Sequence, residues 1–405
     1  MKKSRAGLQK ADRVLEDLGV PKRSAKQPAA EKGLAKNLRL VANRDYAEEV
    51  RQAQLNLFKE IEPLIGQREA GDIAVWQVAL CLILCGLPYD ETPDRSVTRR
   101  ARLADGSRLS VTFTAMGYRD EREANGEFLI DPATGKVKTT PIPLPFGADR
   151  GPLHFLINKA VLQAKELERL GLETSGARFV HWETAAQFLT EMRMARGGKN
   201  RRDLRSRIER IRFCAITVVR TKQGVDQTLL APVFSRTRLP RSLDSSMAEQ
   251  VEITVSQQPA PIMGVEFSQD FFDEFLRNHM PVPVELLRAT MGRSQIQDYV
   301  LWLYWRAFAA KQDTLIPWRS VREQLWQNDS TEQRLYATMR RAIATLRAVW
   351  PEFRGEVNPK HFGPDEKRAV GLLIGPPRDG VYMFNSESAR KQIAVIAPPK
   401  PTKKR

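Results

Sequence analysis

Beyond residue 144 the chain writes one order of elements and then writes it again, and this repeat limits the possible folds more than any other feature. In the first pass, Leu153, Leu156, Ile157, Ala160, Val161, Ala164 and Leu167 recur at helical spacing over 152–170. A short strand, "ARFVHW", follows. Thr184 with Gln187 three residues on gives a capping box for a second helix. Gly197-Gly198 breaks that helix, and Asn200 caps a third, "RRDLRSRIERIRF". Two strands close the unit, "CAITVVRT" and "VDQTLLAPVF", with a turn at Lys222-Gln223-Gly224. After a linker around Pro259 and Pro261, the strand "MGVEFS" and a helix capped by Ser268 begin the second copy. Ser294 caps a helix with Ile296, Val300, Leu303 and Ala307 inward, and "TLIPW" is a strand. Ser320 caps a brief helix to Trp326. Ser330 and Gln333 form another capping box, opening a long helix that stops at Trp350-Pro351. Strands near "FRGEV" and "AVGLLIG" complete the copy.

Helix, strand, helix, helix, strand, strand is the order of a winged helix, a helix-turn-helix with a β-hairpin wing whose third helix enters the DNA major groove. The predicted class is α+β, with two tandem winged-helix domains at 144–260 and 261–384. Ahead of them, 61–143 carries an apolar helix over the run "IAVWQVALCLILCGL", ended by Gly86 and Pro88, and β-hairpins around Asp105-Gly106 and "DPATGK". In "SRLSVTFTA", Leu109, Val111, Phe113 and Ala115 alternate with Ser110, Thr112 and Thr114, as one face of a strand requires.

Charge points to the partner. The chain has 65 Lys+Arg against 48 Asp+Glu, a net +17, which selects a polyanion and above all nucleic acid. Residues 1–60 hold 14 Lys/Arg against 8 Asp/Glu and read as a mobile basic arm. The tail 385–405 carries six Lys/Arg and no acid from Arg390 on. The apolar run is too short to span a bilayer, the N-terminus lacks the apolar stretch of a secretion signal, and three cysteines suit a reducing cytoplasm. No membrane partner is expected. Cys81 and Cys85 are read as buried structural thiols.

The helix over 331–349 is the candidate reader of bases. Leu335, Met339, Ala342, Ile343, Leu346 and Val349 form its inward stripe, and Ala337, Ala344 and Ala348 its outermost line. Arg334, Thr338, Arg341 and Thr345 flank that line on one side, Arg340 and Arg347 on the other. Small residues let a helix axis approach the bases, Arg makes a bidentate contact to guanine, and flanking Arg and Thr hold phosphates. A solvated amphipathic helix would show the same pattern. Its counterpart in the first copy is more basic, with eight Lys/Arg against two acids over 196–212. There Leu204, Ile208 and Ile211 face inward, while Arg201, Arg202 and Arg205 are assigned to phosphate. No His pair for a metal, phosphate loop, zinc signature or nucleophile elbow occurs, so a binding protein without cofactor, metal or catalytic residues is expected.

Several segments then resemble the RepA-type replication initiators of bacterial plasmids: "LPYD", "LPFG", "GVEFSQDFFDEF", "PVPVELLRA", "YVLWLYWRAF", "IPWRSVREQL", "YATMRRAIATLRAVWPEF" and "GLLIGPP", in this order and spacing. The resemblance implies a bacterial cytoplasmic protein that binds direct repeats (iterons) in duplex origin DNA. It also implies opening of adjacent AT-rich DNA, recruitment of host initiator and helicase, and a monomer–dimer equilibrium. A winged-helix repressor acting on its own gene is the alternative. In the arm, "AQLNLFKE" places Gln54, Leu55, Leu57 and Phe58 in the Gln-Leu-x-Leu-Phe pattern by which bacterial proteins bind the DNA polymerase sliding clamp; the alternative is the start of a core, with Leu55 and Phe58 sharing a helix face with Ile61.

Overall fold

The computed structural model describes residues 52, 56, 63, 64, 67, 73–103, 106–123, 127–192, 194–239, 263–325, 332–360 and 370–383. Contacts divide the chain into Met1–Lys59 and Glu60–Arg405, and the described strands belong to the larger unit. Gln54, Leu55, Leu57 and Phe58, the tail 385–405 and Ser330 of the second capping box lie outside the described residues. The described chain is a mixture of short helices and several small antiparallel sheets, an α+β arrangement.

The apolar run at 73–87 is not one helix. Its first half is strand β1 (Val75–Ala79), antiparallel to β11 (His279–Pro283) in the register Val75↔Pro283 to Ala79↔His279. Only Leu80–Leu84 is helical (α1), and its Leu80 N donates to Asn278 O at 2.8 Å. Trp76 to Ala79 are all buried, so the strand presents no alternation, and periodicity alone does not distinguish such a run from a buried helix. Pairing with β11 settles the first half as strand, and Asn158 of the following helical segment adds a bond to it, its Oδ1 accepting from Gln77 N at 2.8 Å.

A four-stranded meander, β2-β3-β7-β8, follows from β2 (Ser96–Arg102), β3 (Arg108–Ala115), β7 (Cys214–Lys222) and β8 (Val225–Pro232). Leu109, Val111, Phe113 and Ala115 are buried as their alternation requires. The β7–β8 loop is two residues long, with Gln223 at φ 51° and Gly224 at φ 80°, the left-handed pair that matches the twist of a hairpin. A smaller pair, β4 (Tyr118–Asp120) with β5 (Thr139–Pro141), leads to the "DPATGK" turn. There the Asp131 carboxylate accepts from Ala133 N (3.0 Å) and Thr134 Oγ1 (2.8 Å).

The repeat is present, with one strand pair reassigned. The first copy runs α2 (Arg150–Arg169), β6 (Phe179–Trp182), α3 (Ala185–Glu191) and α4 (Gly198–Arg212). Its sheet is β6-β10-β9, with β9 at Phe234–Arg238 and β10 at Met263–Phe267. The hairpin β7–β8 is therefore an insertion, not the closing pair, because all eight residues of β3 find partners on β7. "MGVEFS" likewise sits at the centre of the first sheet and does not open the second copy. Next come α5 (Gln269–Arg277), β11 and α6 (Val284–Thr290). The second copy runs α7 (Ser294–Ala309), β12 (Thr314–Ile316), α8 (Trp318–Leu325), α9 (Glu332–Val349), β13 (Arg354–Val357) and β14 (Leu372–Gly375), with sheet order β12-β14-β13. In both sheets the strand before the helix pair bonds to the last strand, which bonds to the middle one. In both, a glycine permits that pairing: a Cβ on Gly264 would lie 2.7 Å from Val180 O, and one on Gly371 2.8 Å from Ile316 O.

Thr184 caps α3 through Gln187 N at 3.0 Å, and Gln187 Oε1 accepts from Glu183 N at 2.9 Å. None of the other expected caps among the described residues forms. Gly197 precedes α4, and Asn200 lies inside it, donating to Ala195 O. Ser294 and Ser320 lie inside their helices. Ser268 does precede α5, but its hydroxyl donates to Pro232 O.

A buried ionic hub joins three segments. Arg150, at the start of α2, makes a forked pair with Asp298 of α7 (Nε–Oδ1 2.9 Å, Nη2–Oδ2 2.8 Å). Its remaining N–H groups donate to the carbonyls of Leu87, Pro88 and Gly147. The side chains of Arg150 and Asp298 are 2% and 6% exposed. A Cβ on Gly86 would come within 2.3 Å of Asp298 Oδ2, so the glycine leaves room for the carboxylate. Next to Arg150, buried Asp149 takes both prongs of Arg210 from α4 at 2.7 Å. The start of α2 is thus tied to α4 on one side and α7 on the other.

Candidate nucleic-acid interface

Helix α9 is fixed by its apolar stripe. Leu335, Met339, Ala342, Ile343, Leu346 and Val349 are all buried. Trp350, which ends the helix, packs on Tyr304 and Phe353 with ring centroids at 5.9 and 5.7 Å, and its Nε1 donates to Val381 O at 2.9 Å. At the other end Trp318 of α8 meets Tyr336 at 4.5 Å. Beneath, Arg306 of α7 lies over Trp302 and Trp305 and donates to Gln324 Oε1 at 2.9 Å. Burial lowers its pKa to about 10.

This packing leaves one side of α9 to solvent. Arg334, Ala337, Arg340 and Arg347 are exposed, and Thr338, Arg341, Ala344 and Ala348 are half-buried. Thr345 is a correction. It is fully buried, and its Oγ1 donates to Arg341 O at 2.8 Å, the usual way a threonine satisfies its hydroxyl inside a helix. It does not belong to the outward face. Arg347 is exposed, yet Nη2 donates to Gly355 O at 2.7 Å, so part of its fork holds α9 to β13.

On α4, Leu204, Ile208 and Ile211 are buried and Arg202 is exposed. Arg201, Arg205 and Arg207 are half-buried. Arg201 turns its Nε inward, where it meets no acceptor. Arg210 is consumed by Asp149 and covers the Phe146 ring at 4.8 Å, so the basic count of this helix overstates what faces outward.

One basic cluster escaped the sequence reading. Arg178, Arg236 and Arg238 line a groove of about 410 Å³ with Ser175, Gly176, Phe179 and Glu266 on the β6-β10-β9 sheet. The legible signal was "SRTR", where arginines two apart on a strand share a face.

The three cysteines are free and buried, and burial pushes the Cys85 and Cys214 thiols up to about 12, which keeps them protonated. Among the described residues no group of three or more His, Cys, Asp and Glu is arranged to hold a metal ion, and no helix is long and apolar enough to cross a membrane.

No family model and no curated protein matches the chain. Among solved structures it is similar to selenomethionine derivatives of domain 2 and domain 3 of RctB, with a TM-score of 0.38 and 11% identity over 73% of this chain and 95% of that one. A second structure of RctB domains 2-3 gives a TM-score of 0.34 and 10% identity over 71% and 92%.

Proposed function

We propose that the chain is a replication initiator that binds repeated duplex origin DNA through two tandem winged helices and has no enzymatic activity. The observation that carries this reading is the shared topology of the two copies. Each runs helix, strand, helix, helix and then a three-stranded sheet in the order first, third, second, the element order of a winged helix. Each places a helix with an arginine-bearing outer side third, where such a fold holds its recognition helix.

The two helices divide the work by their side chains. α9 offers small residues at Ala337, Ala344 and Ala348 between Arg334, Thr338 and Arg341 on one flank and Arg340 and Arg347 on the other, a mixture suited to base edges as well as phosphates. α4 offers Arg201, Arg202 and Arg205 to phosphate, with few neutral groups for reading bases. The arm peptide of Gln54, Leu55, Leu57 and Phe58 docks the polymerase sliding clamp, and host initiator and helicase are met after the origin opens. The test is binding of the full chain to duplexes from the DNA beside its gene. Tandem repeats of about two helical turns next to an AT-rich stretch should be bound far more tightly than shuffled duplexes of the same composition. Equal binding to both would remove the initiator reading.

A further inference from the structure

We propose that the outer face of the β6-β10-β9 sheet is a separate site for a single-stranded nucleotide unit, a base laid on Phe179 and His181 with its phosphate held by Arg236 and Arg238. This goes beyond duplex binding by α4 and α9 and does not depend on it.

Pairing places the site's residues on one face. Phe179 and His181 are two apart on β6, opposite Glu266 and Gly264 of β10, which in turn stand opposite Arg236 and Arg238 of β9. The rings of Phe179 and His181 are stacked, nearly parallel at 17° with centroids 6.2 Å apart, and serve as the two aromatic tiles of the site. Gly264 makes this possible. A Cβ there would stand 2.8 Å from Phe179 Cζ, so the ring rests on bare backbone. His181 is exposed and Phe179 half-buried, so the tiles keep open surface.

Charge is arranged around the tiles. The Arg238 guanidinium lies over the Phe179 ring, 5.6 Å from its centroid, and Arg238 is exposed. Glu266 takes Arg178 at 2.8 Å and Arg236 at 3.7 Å, so one carboxylate orients two guanidinium groups while the groove keeps an excess of positive charge. The Arg236 side chain is 67% exposed. The Nε of Arg178 is enclosed with no acceptor. Aromatic tiles flanked by arginines on an open sheet suit an unpaired base, since a base must leave its duplex to show a face for stacking. Duplex DNA offers only phosphate here.

The experiment measures binding of the full chain to a labelled 20-nucleotide single strand of mixed sequence, to its duplex, and to a free nucleoside monophosphate. Phe179→Leu keeps an apolar side chain but loses the flat face, and should weaken single-strand binding about 5- to 100-fold with duplex affinity unchanged. Arg236→Ala with Arg238→Ala should weaken it too and lower the single-strand salt slope by about one unit. The single-strand arm should far exceed the mononucleotide arm, as expected of a site on a longer strand. Equal losses on single strand and duplex would reduce the face to a general phosphate contact and overturn the proposal, as would unchanged single-strand binding in both variants. Tight mononucleotide binding with no gain from a longer strand would make this a free-nucleotide site instead and equally overturn it. Circular dichroism of each variant separates loss of the site from loss of the fold.

Discussion

Replacing Asp298 with alanine should cost about 3 kcal/mol of unfolding free energy, and replacing Arg150 with methionine about 5 kcal/mol. The range for breaking a buried pair is roughly 3–5 kcal/mol, and the geometry decides where each change falls in it. Without Asp298, Arg150 keeps a buried charge but still donates to the carbonyls of Leu87, Pro88 and Gly147, so its loss is partial. Without Arg150, a buried carboxylate loses its forked cation and three carbonyls lose a donor. Arg150→Lys should also cost about 2–3 kcal/mol, because a single ammonium cannot serve a two-pronged carboxylate and three carbonyls together. Urea unfolding followed by tryptophan fluorescence measures this. With a slope of roughly 3 kcal/mol/M, Asp298→Ala lowers the midpoint by about 1 M and Arg150→Met by more. Burial pushes the Asp298 carboxyl above its ordinary 3.8 even beside Arg150, so with methionine there it rises further. A carboxyl raised in the folded state takes its proton before the unfolded chain does, and the penalty of Arg150→Met should shrink as pH falls through that raised value. A loss below about 1 kcal/mol for either change, or a larger loss for Asp298→Ala than for Arg150→Met, would refute the hub.

Three further outcomes are expected. His154 is buried with its Nδ1 unpartnered, and burial, with nearby Arg150 second, lowers its pKa from 6.5 to about 3. The unfolded chain therefore takes the proton first as pH falls below 6.5, and acidification to pH 5 should cost roughly 2 kcal/mol through this residue. His154→Leu should remove that part of the acid sensitivity in urea titrations at pH 7 and 5. Thr345→Ser should leave DNA affinity unchanged while costing about 1 kcal/mol of stability for the buried methyl, in contrast to any substitution on the outer side of α9. Leu57→Ala with Phe58→Ala should abolish sliding-clamp binding in a pull-down and leave duplex binding and the melting temperature intact; unfolding would make these residues core.

Much of the architecture was legible because it follows from local pattern. The inward stripes of α4 and α9, the alternation in β3, the Gln223-Gly224 turn and the Thr184 cap each rest on spacing within a few residues. What was not legible depended on distant partners. β1 is a strand because residues 279–283 pair with it, some 200 positions away, and nothing in an unbroken apolar run declares that. β7–β8 looked like a wing because it is a good hairpin, but register with β3 sends it elsewhere and leaves β9 and β10 to close the first sheet. On the candidate interface, helix geometry placed Arg334, Ala337 and Arg340 outward correctly and erred at Thr345, one position at the margin of the stripe. Arg210 adds to the basic count of α4, yet it belongs to Asp149, sixty-one residues earlier, and nothing local in the sequence declares that pairing.

The affinity of Arg341→Ala for repeat-bearing origin duplex, set against its affinity for random duplex at one fixed salt concentration, tests the central claim most directly. Base reading by α9 predicts a loss of about 1–3 kcal/mol on the repeats, a much smaller loss on random DNA, and so a collapse of the specificity ratio. Equal losses on both duplexes, with the ratio unchanged, would contradict it.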